Sequence, residues 1–248
     1  MNILGMIDSQ HDAAATADLY DDLWNDLREE DFAAYKSRLR KILPSSVYSG
    51  KICLDGGCGQ GAISSMMSEK AKRLYSVDIS RKALEITRKR LANPSNVVLK
   101  RASLLELPFE NDYFDAVVSN GVIHHTTNPV KALSELERVL KRKKTIILGI
   151  YGKTGLIRYI IEAASFILKR VPYRIVKWVL EKAGFSPLSR YYVLDYIYVP
   201  IRKRFSIREI TSMMKGFSCM EIKSDYPEGM INRIIYGTNY FYITAKKR

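Results

Sequence analysis

The sequence has few of the residues that build disulfide frameworks or metal sites, with three cysteines and three histidines in 248 residues. Cys53, Cys58 and Cys219 are odd in number and show no Cys-X-X-Cys spacing. This pattern predicts neither a disulfide framework nor a zinc site, and no metal is expected. Free cysteines are typical of a reducing compartment, so we expect a cytoplasmic location.

Long apolar runs are also absent. No segment has the roughly 18 consecutive apolar residues that a membrane-spanning helix requires. The first twelve residues, MNILGMIDSQHD, lack the basic stretch and apolar core of a secretory signal. We therefore expect no transmembrane segment and no secretion.

Charged residues are frequent, and basic residues outnumber acidic ones, which gives a formal net charge of +14 and an isoelectric point near 9.6. The first fifty residues are nevertheless rich in acids, so most of the positive charge lies in the second half. A basic surface attracts nucleic acid, anionic membranes or acidic substrates. No basic and aromatic recognition motif stands out, so a nucleic-acid partner is not favoured. The oligomeric state cannot be deduced from these features.

From Lys51 onward, short apolar runs alternate with amphipathic stretches, a pattern typical of βαβ units and a parallel sheet. The length fits a single domain. We predict an α/β fold: a Rossmann-like, seven-stranded, mostly parallel sheet with helices on both faces. The predicted strands cover 52–55, 74–77, 97–99, 114–119, 145–150, 217–222 and 240–244, the last two forming an antiparallel edge.

Three segments flank or interrupt this core. Residues 1–48 are predicted to form N-terminal cap helices before the core at 49–151. Regular alternation stops at 152–205, which we interpret as a helical lid inserted after the fifth strand, and 206–248 completes the sheet. The tyrosine-rich run 191–198 fits either the lining of a pocket or a half-buried strand, because its apolar residues alternate.

A glycine-rich motif, Leu-Asp-Gly-Gly-Cys-Gly-Gln-Gly at 54–61, falls where the first strand turns into a helix. Glycine has no Cβ, so the backbone there can approach a ligand closely. A dinucleotide site also uses such glycines. Asp55, however, directly precedes them, and its carboxylate repels a pyrophosphate while attracting the amino group of S-adenosylmethionine (SAM).

Asp78 ends the second strand, 21 residues beyond Gly57. An acid at this distance accepts hydrogen bonds from both ribose hydroxyls of a nucleoside cofactor. The alternative is an aspartate that only caps the helix starting near Ser80.

With these residues in view, the chain resembles the class I SAM-dependent methyltransferases, specifically the group that includes the ubiquinone and menaquinone biosynthesis enzymes and many small-molecule methyltransferases. The resemblance spans residues 51–150. It rests on the following segments: 54–61, Ser-Val-Asp-Ile-Ser at 76–80, Leu-Pro-Phe at 107–109, Phe114-Asp115 and His124-His125.

The resemblance implies SAM as cofactor and S-adenosylhomocysteine (SAH) as product. It also implies contacts to the methionine part, the ribose and the adenine, and an aromatic residue of the cap over the methionine part. The residues implied are Asp55, Gly57, Gly59 and Asn120 for methionine, Asp78 and Ile79 for ribose and adenine, and Tyr20, with Trp24 less favoured, for the cap.

Two positions depart from the family pattern. Ser103 stands where the family usually has an aspartate that accepts from the adenine amino group. A hydroxyl also accepts, and the backbone of Leu104 pairs with the ring, so we expect weaker discrimination rather than loss of binding. The basic run 141–144 replaces a Pro-Gly-Gly turn, and we expect it to alter only a distal loop.

His124 and His125 follow the fourth strand, at the sheet edge where ligands collect in open α/β folds. An imidazole titrates near neutrality, so either could be the catalytic base for an acceptor that still carries its proton, with His125 favoured. The alternative is that one packs under the next helix while the other lines the pocket.

We therefore expect a SAM-dependent methyltransferase that acts on oxygen, nitrogen or carbon of a small organic acceptor, in biosynthesis and with a lipophilic substrate as one option. The alternatives are a tRNA-modifying methyltransferase, an NAD-linked oxidoreductase and a SAM-binding regulatory protein without turnover. Residues 156–180 mix large apolar side chains with arginine and lysine. They are interpreted first as lid helices whose apolar face packs on the core, and second as a basic amphipathic pair on an anionic membrane.

Overall fold

The computed structural model describes residues 15, 16, 18–24, 26–91, 94–224 and 240–248. Within these residues seven strands form one sheet, in the order β3-β2-β1-β4-β5-β7-β6. The strands are β1 Ile52–Gly56, β2 Arg73–Asp78, β3 Val97–Arg101, β4 Phe114–Asn120, β5 Leu140–Tyr151, β6 Phe217–Ser224 and β7 Tyr240–Lys247.

Helices cover both faces of the sheet, as predicted. Residues 18–24 are helical and are called α1. The other helices are α2 Glu29–Arg40, α3 Ala62–Ser68, α4 Arg81–Arg90, α5 Pro129–Val139, α6 Leu156–Leu168, α7 Tyr173–Lys182, α8 Pro187–Tyr198 and α9 Ile207–Met213, with 3-10 turns at Ser45–Val47 and Ile123–His125. No helix of the described residues is long and apolar enough to cross a membrane.

The two faces bury separate clusters because successive side chains of a strand point to opposite sides. Cys53 of β1 packs with α2 and α3, whereas the adjacent Leu54 packs with α5 and α9. The predicted helix residues Ile63, Met66 and Met67 are all buried in the first cluster. The periodicity of the sequence therefore assigned the buried face of α3 correctly, whereas on α5 Val130, predicted to point inward, is 61% exposed.

Strand pairing fixes where a ligand can bind. β1 pairs in parallel with both β2 and β4, and β4 pairs in parallel with β5. β7 lies antiparallel between β5 and β6, so the predicted antiparallel end of the sheet is confirmed. From β1 the chain adds β2 and β3 on one side and then β4 and β5 on the other, so the order of the strands reverses between β1 and β4. Ligands of open α/β sheets bind at the carboxyl ends of the strands at such a reversal point.

Helix starts follow the predicted caps. Ser80 Oγ accepts from Ala83 N at 3.0 Å, and Asn128 Oδ1 accepts from Lys131 N at 3.0 Å with Pro129 in the first turn. These bonds satisfy amide groups that the helix itself leaves without partners.

The basic run 141–144 is not a loop, which corrects the prediction. It lies inside β5, where the register against β4 shifts and Lys143 has a φ of 60°. Lys141 Nζ lies 3.0 Å from Asp115 Oδ1, so charge pairing secures the shifted segment. The segment is at the start of β5, at the opposite edge of the sheet from the reversal point.

The tyrosine-rich run 191–198 is also helical, so the strand alternative was wrong. Ser186 accepts from Ser189 N and Pro187 occupies the first turn, which starts α8 through this run. An isolated bridge pairs Gly152 with Phe205, the first and last residues of the predicted insertion. α6, α7 and α8 therefore leave and rejoin the sheet at one point, beyond the carboxyl end of β5.

A candidate active site at the carboxyl edge of the sheet

The loop after β1 passes so close to the loop after β4 that only glycine fits. Gly57 has a φ of 85°, and a Cβ placed there would lie 2.3 Å from Val122 Cγ2. The amides of Gly57 and Cys58 both donate to Val77 O, at 2.8 and 2.9 Å. The loop is thus fixed against β2 and presents its backbone to the cavity above.

Asp55 carries a buried carboxylate that lacks a full set of partners. Its Oδ2 accepts from Ser64 Oγ at 2.6 Å, while Oδ1 is buried with no hydrogen-bond partner among the described residues. Burial raises the pKa of Asp55 to about 7, although the Ser64 bond opposes the rise. Buried polar atoms nearly always have a partner, and Asp55 borders the cavity. Its orphaned oxygen therefore points to a ligand that carries a donor or a positive charge.

Asp78 connects three pieces of the site. Its Oδ2 accepts from Gly59 N at 2.9 Å and its Oδ1 from Ser80 N at 2.9 Å. Burial raises its pKa. Each carboxylate oxygen can accept a second hydrogen bond, so this arrangement leaves acceptor capacity toward the cavity. Ser80 Oγ also donates to Asp21 Oδ1 at 2.6 Å, which ties α1 to the end of β2.

Next to Asp78, the apolar Ile79 and the polar Ser103 form a continuous part of the cavity lining, here called the shelf. Ile79 is 44% exposed although it is apolar, and its side chain lines the cavity. Ser103 Oγ accepts from Leu105 N at 3.1 Å, and the side chain of Leu104 is buried under the shelf. The predicted adenine residues therefore lie together at one end of the cavity.

Asn120, at the end of β4, is held by two tyrosines. Its Nδ2 donates to Tyr35 OH at 2.8 Å, and its Oδ1 accepts from Tyr240 OH at 2.8 Å. The amide lines the cavity near the reversal point of the sheet. Its orientation is therefore set by cap helix α2 and by strand β7.

Four side chains form a polar network, of which Tyr20, His125 and Tyr151 border the cavity. Tyr20 OH lies 2.8 Å from His125 Nε2 and donates to Asp195 Oδ1 at 2.5 Å. Tyr151 OH donates to Asp195 Oδ2 at 2.5 Å, and His125 Nδ1 lies 2.7 Å from Ile201 O. Asp195 is fully buried. Four separate parts of the chain, α1, the turn after β4, the end of β5 and α8, thus meet in one network.

These contacts determine how protons are arranged. Ile201 O is only an acceptor, so His125 Nδ1 carries a proton. When Tyr20 donates to Asp195, the Tyr20 oxygen accepts from a protonated Nε2, and His125 is then an imidazolium. In the other arrangement the Tyr20 hydroxyl donates to Nε2 of a neutral imidazole. Burial lowers the pKa of His125, while the charge of Asp195 opposes that change.

His124 does not reach the cavity. It is fully buried, its ring packs 4.2 Å from the Tyr151 ring, and its Nδ1 accepts from Tyr151 N at 3.4 Å. Burial holds its pKa well below the usual range for histidine. The two histidines follow each other in a 3-10 turn with their ring centroids 4.2 Å apart, and of the two only His125 lines the cavity.

All nine residues that the resemblance implied for SAM border one cavity of about 510 Å³, together with His125. Trp24, also in the cap, stacks on Tyr20 with ring centroids 5.2 Å apart and lies over Gly59. Sequence reasoning missed Asp195, Tyr151 and Asp21. A signal existed for Asp195, because it is the one acid in the apolar and tyrosine-rich run 191–198. Nothing in the sequence marked Tyr151 or Asp21.

Comparison with known proteins agrees with this geometry. Residues 54–148 match the family model described as Methyltransferase domain. A demethylmenaquinone methyltransferase from Clavibacter sepedonicus is 30% identical over 136 residues, which cover 55% of this chain and 55% of that protein. The chain thus spans about half the length of the curated relatives it matches.

Solved structures resemble nearly the whole chain. A SAM-dependent methyltransferase from Archaeoglobus fulgidus has a TM-score of 0.59 at 19% identity, covering 87% of this chain and 94% of that one. One from Thermotoga maritima has a TM-score of 0.56 at 19% identity, covering 88% and 89%. At these identities the likeness shows the fold.

The fold is the Rossmann-like α/β fold of the solved methyltransferases, with a cavity at the carboxyl edge of the sheet. Residues 54–148 match a methyltransferase domain, and over about half of its length the chain is similar to proteins named demethylmenaquinone methyltransferase. The cavity fits SAM, because the orphaned oxygen of Asp55 suits an ammonium group and Asp78 keeps free acceptor capacity for ribose. The match contradicts the NAD-linked oxidoreductase alternative.

Proposed function

We propose that this protein transfers a methyl group from SAM to a small organic acceptor that binds against the tyrosine-lined wall of the cavity. One observation carries the proposal: a single cavity connects the carboxylates of Asp55 and Asp78 with the network around Tyr20 and His125. Donor and acceptor sites that open into one another are what an in-line transfer requires.

When bound, SAM supplies an electrophilic methyl group on a sulfonium. The chain's part is to bind, orient and exclude water. Asp55 would accept from the ammonium of the methionine part and Asp78 from the ribose hydroxyls. Ile79 would pack against the adenine, while Ser103 and the backbone of Leu104 would bond to its edge. The N-terminal helix closes over them, because Asp21 bonds to Ser80 and Trp24 covers Gly59.

The acceptor we infer is a planar, hydroxylated ring such as a phenol or quinol. The wall that faces it is aromatic and carries hydroxyl groups, which suit stacking and hydrogen bonding to a ring. The wall consists of Tyr35, Tyr151, Tyr191, Tyr192, Tyr196, Tyr240 and Tyr242. The relatives named demethylmenaquinone methyltransferase support this class of acceptor. A cavity walled by lid helix α8 favours a small molecule over tRNA.

The proton of such an acceptor would leave through Tyr20. Both nitrogens of His125 are already bonded, one to Ile201 O and one to Tyr20, so the ring has no free nitrogen for the acceptor. The acceptor O–H bond breaks as Tyr20 oxygen gains that proton, and the former Tyr20 proton moves to His125 Nε2. The products are an oxyanion on the acceptor and an imidazolium.

Asp78→Asn tests the cofactor site. We expect SAM and SAH to bind the wild type and to lose about a hundredfold in affinity in the variant, because an amide accepts fewer hydrogen bonds than a carboxylate and leaves partners unpaired. Isothermal calorimetry with SAM, SAH and NAD measures this. Asp115→Asn is the matched control, since Asp115 also accepts a backbone amide, from Ile52 N, but at the opposite edge of the sheet.

Failure of SAM and SAH to bind well-folded wild type would overturn the proposal, as would tight binding of NAD. A SAM-binding regulatory protein is the remaining alternative. It predicts that SAM binds but that no phenol or quinol, including a short-chain demethylmenaquinone, is methylated in a screen by mass spectrometry.

The affinity for SAM should depend on pH through Asp55. Its pKa of about 7 in the free protein means that binding an ammonium must first release a proton at acidic pH. The affinity should therefore rise by up to about tenfold per pH unit toward pH 7 and then level off. The same raised pKa makes the ligand-free protein lose stability as pH rises from about 4 to 7, because the unfolded carboxyl ionises first.

Calorimetry in buffers of different ionisation enthalpy measures the released proton directly. In Asp55→Asn we expect weaker binding whose affinity no longer changes over this pH range. A wild-type affinity that is constant between pH 5.5 and 7, with no proton released, would contradict the role of Asp55.

A further inference from the structure

The outer surface of the lid exposes its apolar side chains, contrary to the first interpretation of residues 156–180. Twelve large apolar side chains are exposed in the described part of the chain, and nine of them lie between residues 156 and 185. Phe166 and Ile167 are 67% and 66% exposed, and Trp178 is 58% exposed. These helices therefore do not turn their whole apolar surface toward the core.

Helical spacing arranges the exposed residues in stripes. On α6, Leu156, Tyr159, Ile160 and Ile167 follow the i, i+3, i+4, i+11 pattern of one helix face. On α7, Ile175, Trp178 and Val179 follow the i, i+3, i+4 pattern. We call the two stripes, with Phe166 and Phe185, the outer lid face.

Both helices bury their opposite sides against the same partner. Leu168 of α6 and Val176 of α7 pack in one cluster with Leu194 and Ile197 of α8. The stripes thus lie on the side away from α8. α8 in turn contributes Tyr191, Tyr192 and Tyr196 to the cavity, so one helix layer separates the outer lid face from the acceptor wall.

Basic side chains border the outer lid face. Lys169, Arg170, Arg174 and Lys182 are exposed around the stripes, and the Arg170 guanidinium lies 4.3 Å from the centre of the Phe166 ring. Of the acids on the two helices, Glu162 lies 3.6 Å from Arg204, outside this border. Among the described acids on α6 and α7, Glu181 is therefore the one that is left to oppose these four cations.

We propose that the outer lid face docks on an anionic lipid bilayer, with its apolar stripes in the interface and its cations against lipid phosphates. Exposed Trp, Phe, Ile and Leu flanked by Lys and Arg form the side-chain set that partitions into this interface. Long basic side chains keep their charge at the headgroups while their stems lie along apolar surface. A protein partner would have to supply both a large apolar patch and acids around it.

Vesicle binding tests the docking and needs neither SAM nor an acceptor, so its failure is distinguishable from failure of the proposed methyl transfer. We expect the whole chain to float with vesicles of phosphatidylcholine and about one third phosphatidylglycerol, and to bind pure phosphatidylcholine much more weakly, because cations add to the attraction. In Trp24→Phe, Trp178 is the remaining tryptophan. Its emission should shift to the blue and be quenched by lipids brominated on the acyl chain.

Two pairs of substitutions and two matched controls locate the surface. Phe166→Ser with Ile175→Ser, and separately Lys169→Glu with Arg174→Glu, should each weaken binding to anionic vesicles by about tenfold or more. Val130→Ser removes an equally exposed apolar residue on α5, and Lys70→Glu with Lys72→Glu reverses the same charge at the opposite edge of the sheet. Both controls should bind as wild type does.

Three results would overturn the proposal. The first is absence of binding to anionic vesicles by folded wild type. The second is binding that the control variants weaken as much as the lid pairs do. The third is a dimer, seen by light scattering, that Phe166→Ser with Ile175→Ser converts to monomers, since the outer lid face would then be covered by a second copy of the chain.

Discussion

Tyr20→Phe is expected to lower kcat for methyl transfer to a hydroxylated acceptor by about 10²- to 10⁴-fold, the range seen when a proton-transfer group is removed. The variant loses the oxygen that links His125 Nε2 with Asp195 Oδ1, at 2.8 and 2.5 Å. The affinity for SAM should change little, because phenylalanine keeps the aromatic ring that covers the methionine part and because Asp55 and Asp78 are untouched. Single-turnover kinetics with calorimetry separates the two effects.

The pH profile distinguishes proton transfer from a merely structural role. Burial lowers the pKa of His125 from its usual range. The wild-type rate should therefore be constant above about pH 6.5 and fall as acid protonates the network. His125→Gln should remove this fall along with most of the rate. Because the residues act as one unit, Tyr20→Phe combined with His125→Gln should cost little more than either alone.

Tyr75→Phe is the control for loss of a tyrosine hydroxyl, since Tyr75 OH bonds to Tyr113 OH at 2.8 Å, away from the cavity. It should retain wild-type kcat. A Tyr20→Phe enzyme with wild-type kcat and pH profile would contradict the proton path, and it would leave the cofactor assignment standing.

The second large effect is expected for Gly57→Ala, which should both destabilise the protein and abolish SAM binding at millimolar concentration. A φ of 85° costs an L-residue about 1–2 kcal/mol. A Cβ at 2.3 Å from Val122 Cγ2 adds overpacking of about 1–3 kcal/mol. Relief of that contact requires the loop after β1 to move away from the loop after β4, which displaces the backbone beside Asp55.

Gly50→Ala separates the cost of the backbone conformation from the cost of overpacking. Gly50 has a φ of 69°, but a Cβ there would have no atom within 4 Å. It should cost only the backbone contribution of about 1–2 kcal/mol and leave SAM affinity unchanged. Urea unfolding and calorimetry on both variants measure the difference. Equal stabilities and equal SAM affinities in the two variants would show that the close approach of the two loops is not required.

Much of the fold was predictable because its signals are local. Alternating apolar runs located the strands, and the caps at Ser80 and Asn128 located two helix starts. The prediction failed where pairing with distant residues decided the outcome. Residues 141–144 joined β5 because β4 and Asp115 were available as partners. Residues 191–198 became helical because Ser186 and Pro187 started a helix before them.

The candidate site likewise contains some residues that the sequence made recognisable and others that it did not. Gly57, Asp55 and Asp78 were recognisable from spacing along a strand, a turn and the next strand, since their role depends on neighbours in sequence. The network was not recognisable, because Tyr20, His125 and Asp195 are 105 and 70 residues apart along the chain. Only the docking of α1 and α8 over the sheet edge brings them within hydrogen-bond distance.

By itself, the sequence determined the class of fold, the glycine loop after β1 and the edge of the sheet where the cavity lies, because each follows from local periodicity, glycine geometry and strand order. The tertiary structure decided which histidine reaches the cavity, which acid completes its network and which lid surface stays exposed. These depend on how three helices of the insertion pack on one another. That packing results from the sum of many weak apolar contacts, and no short pattern encodes it.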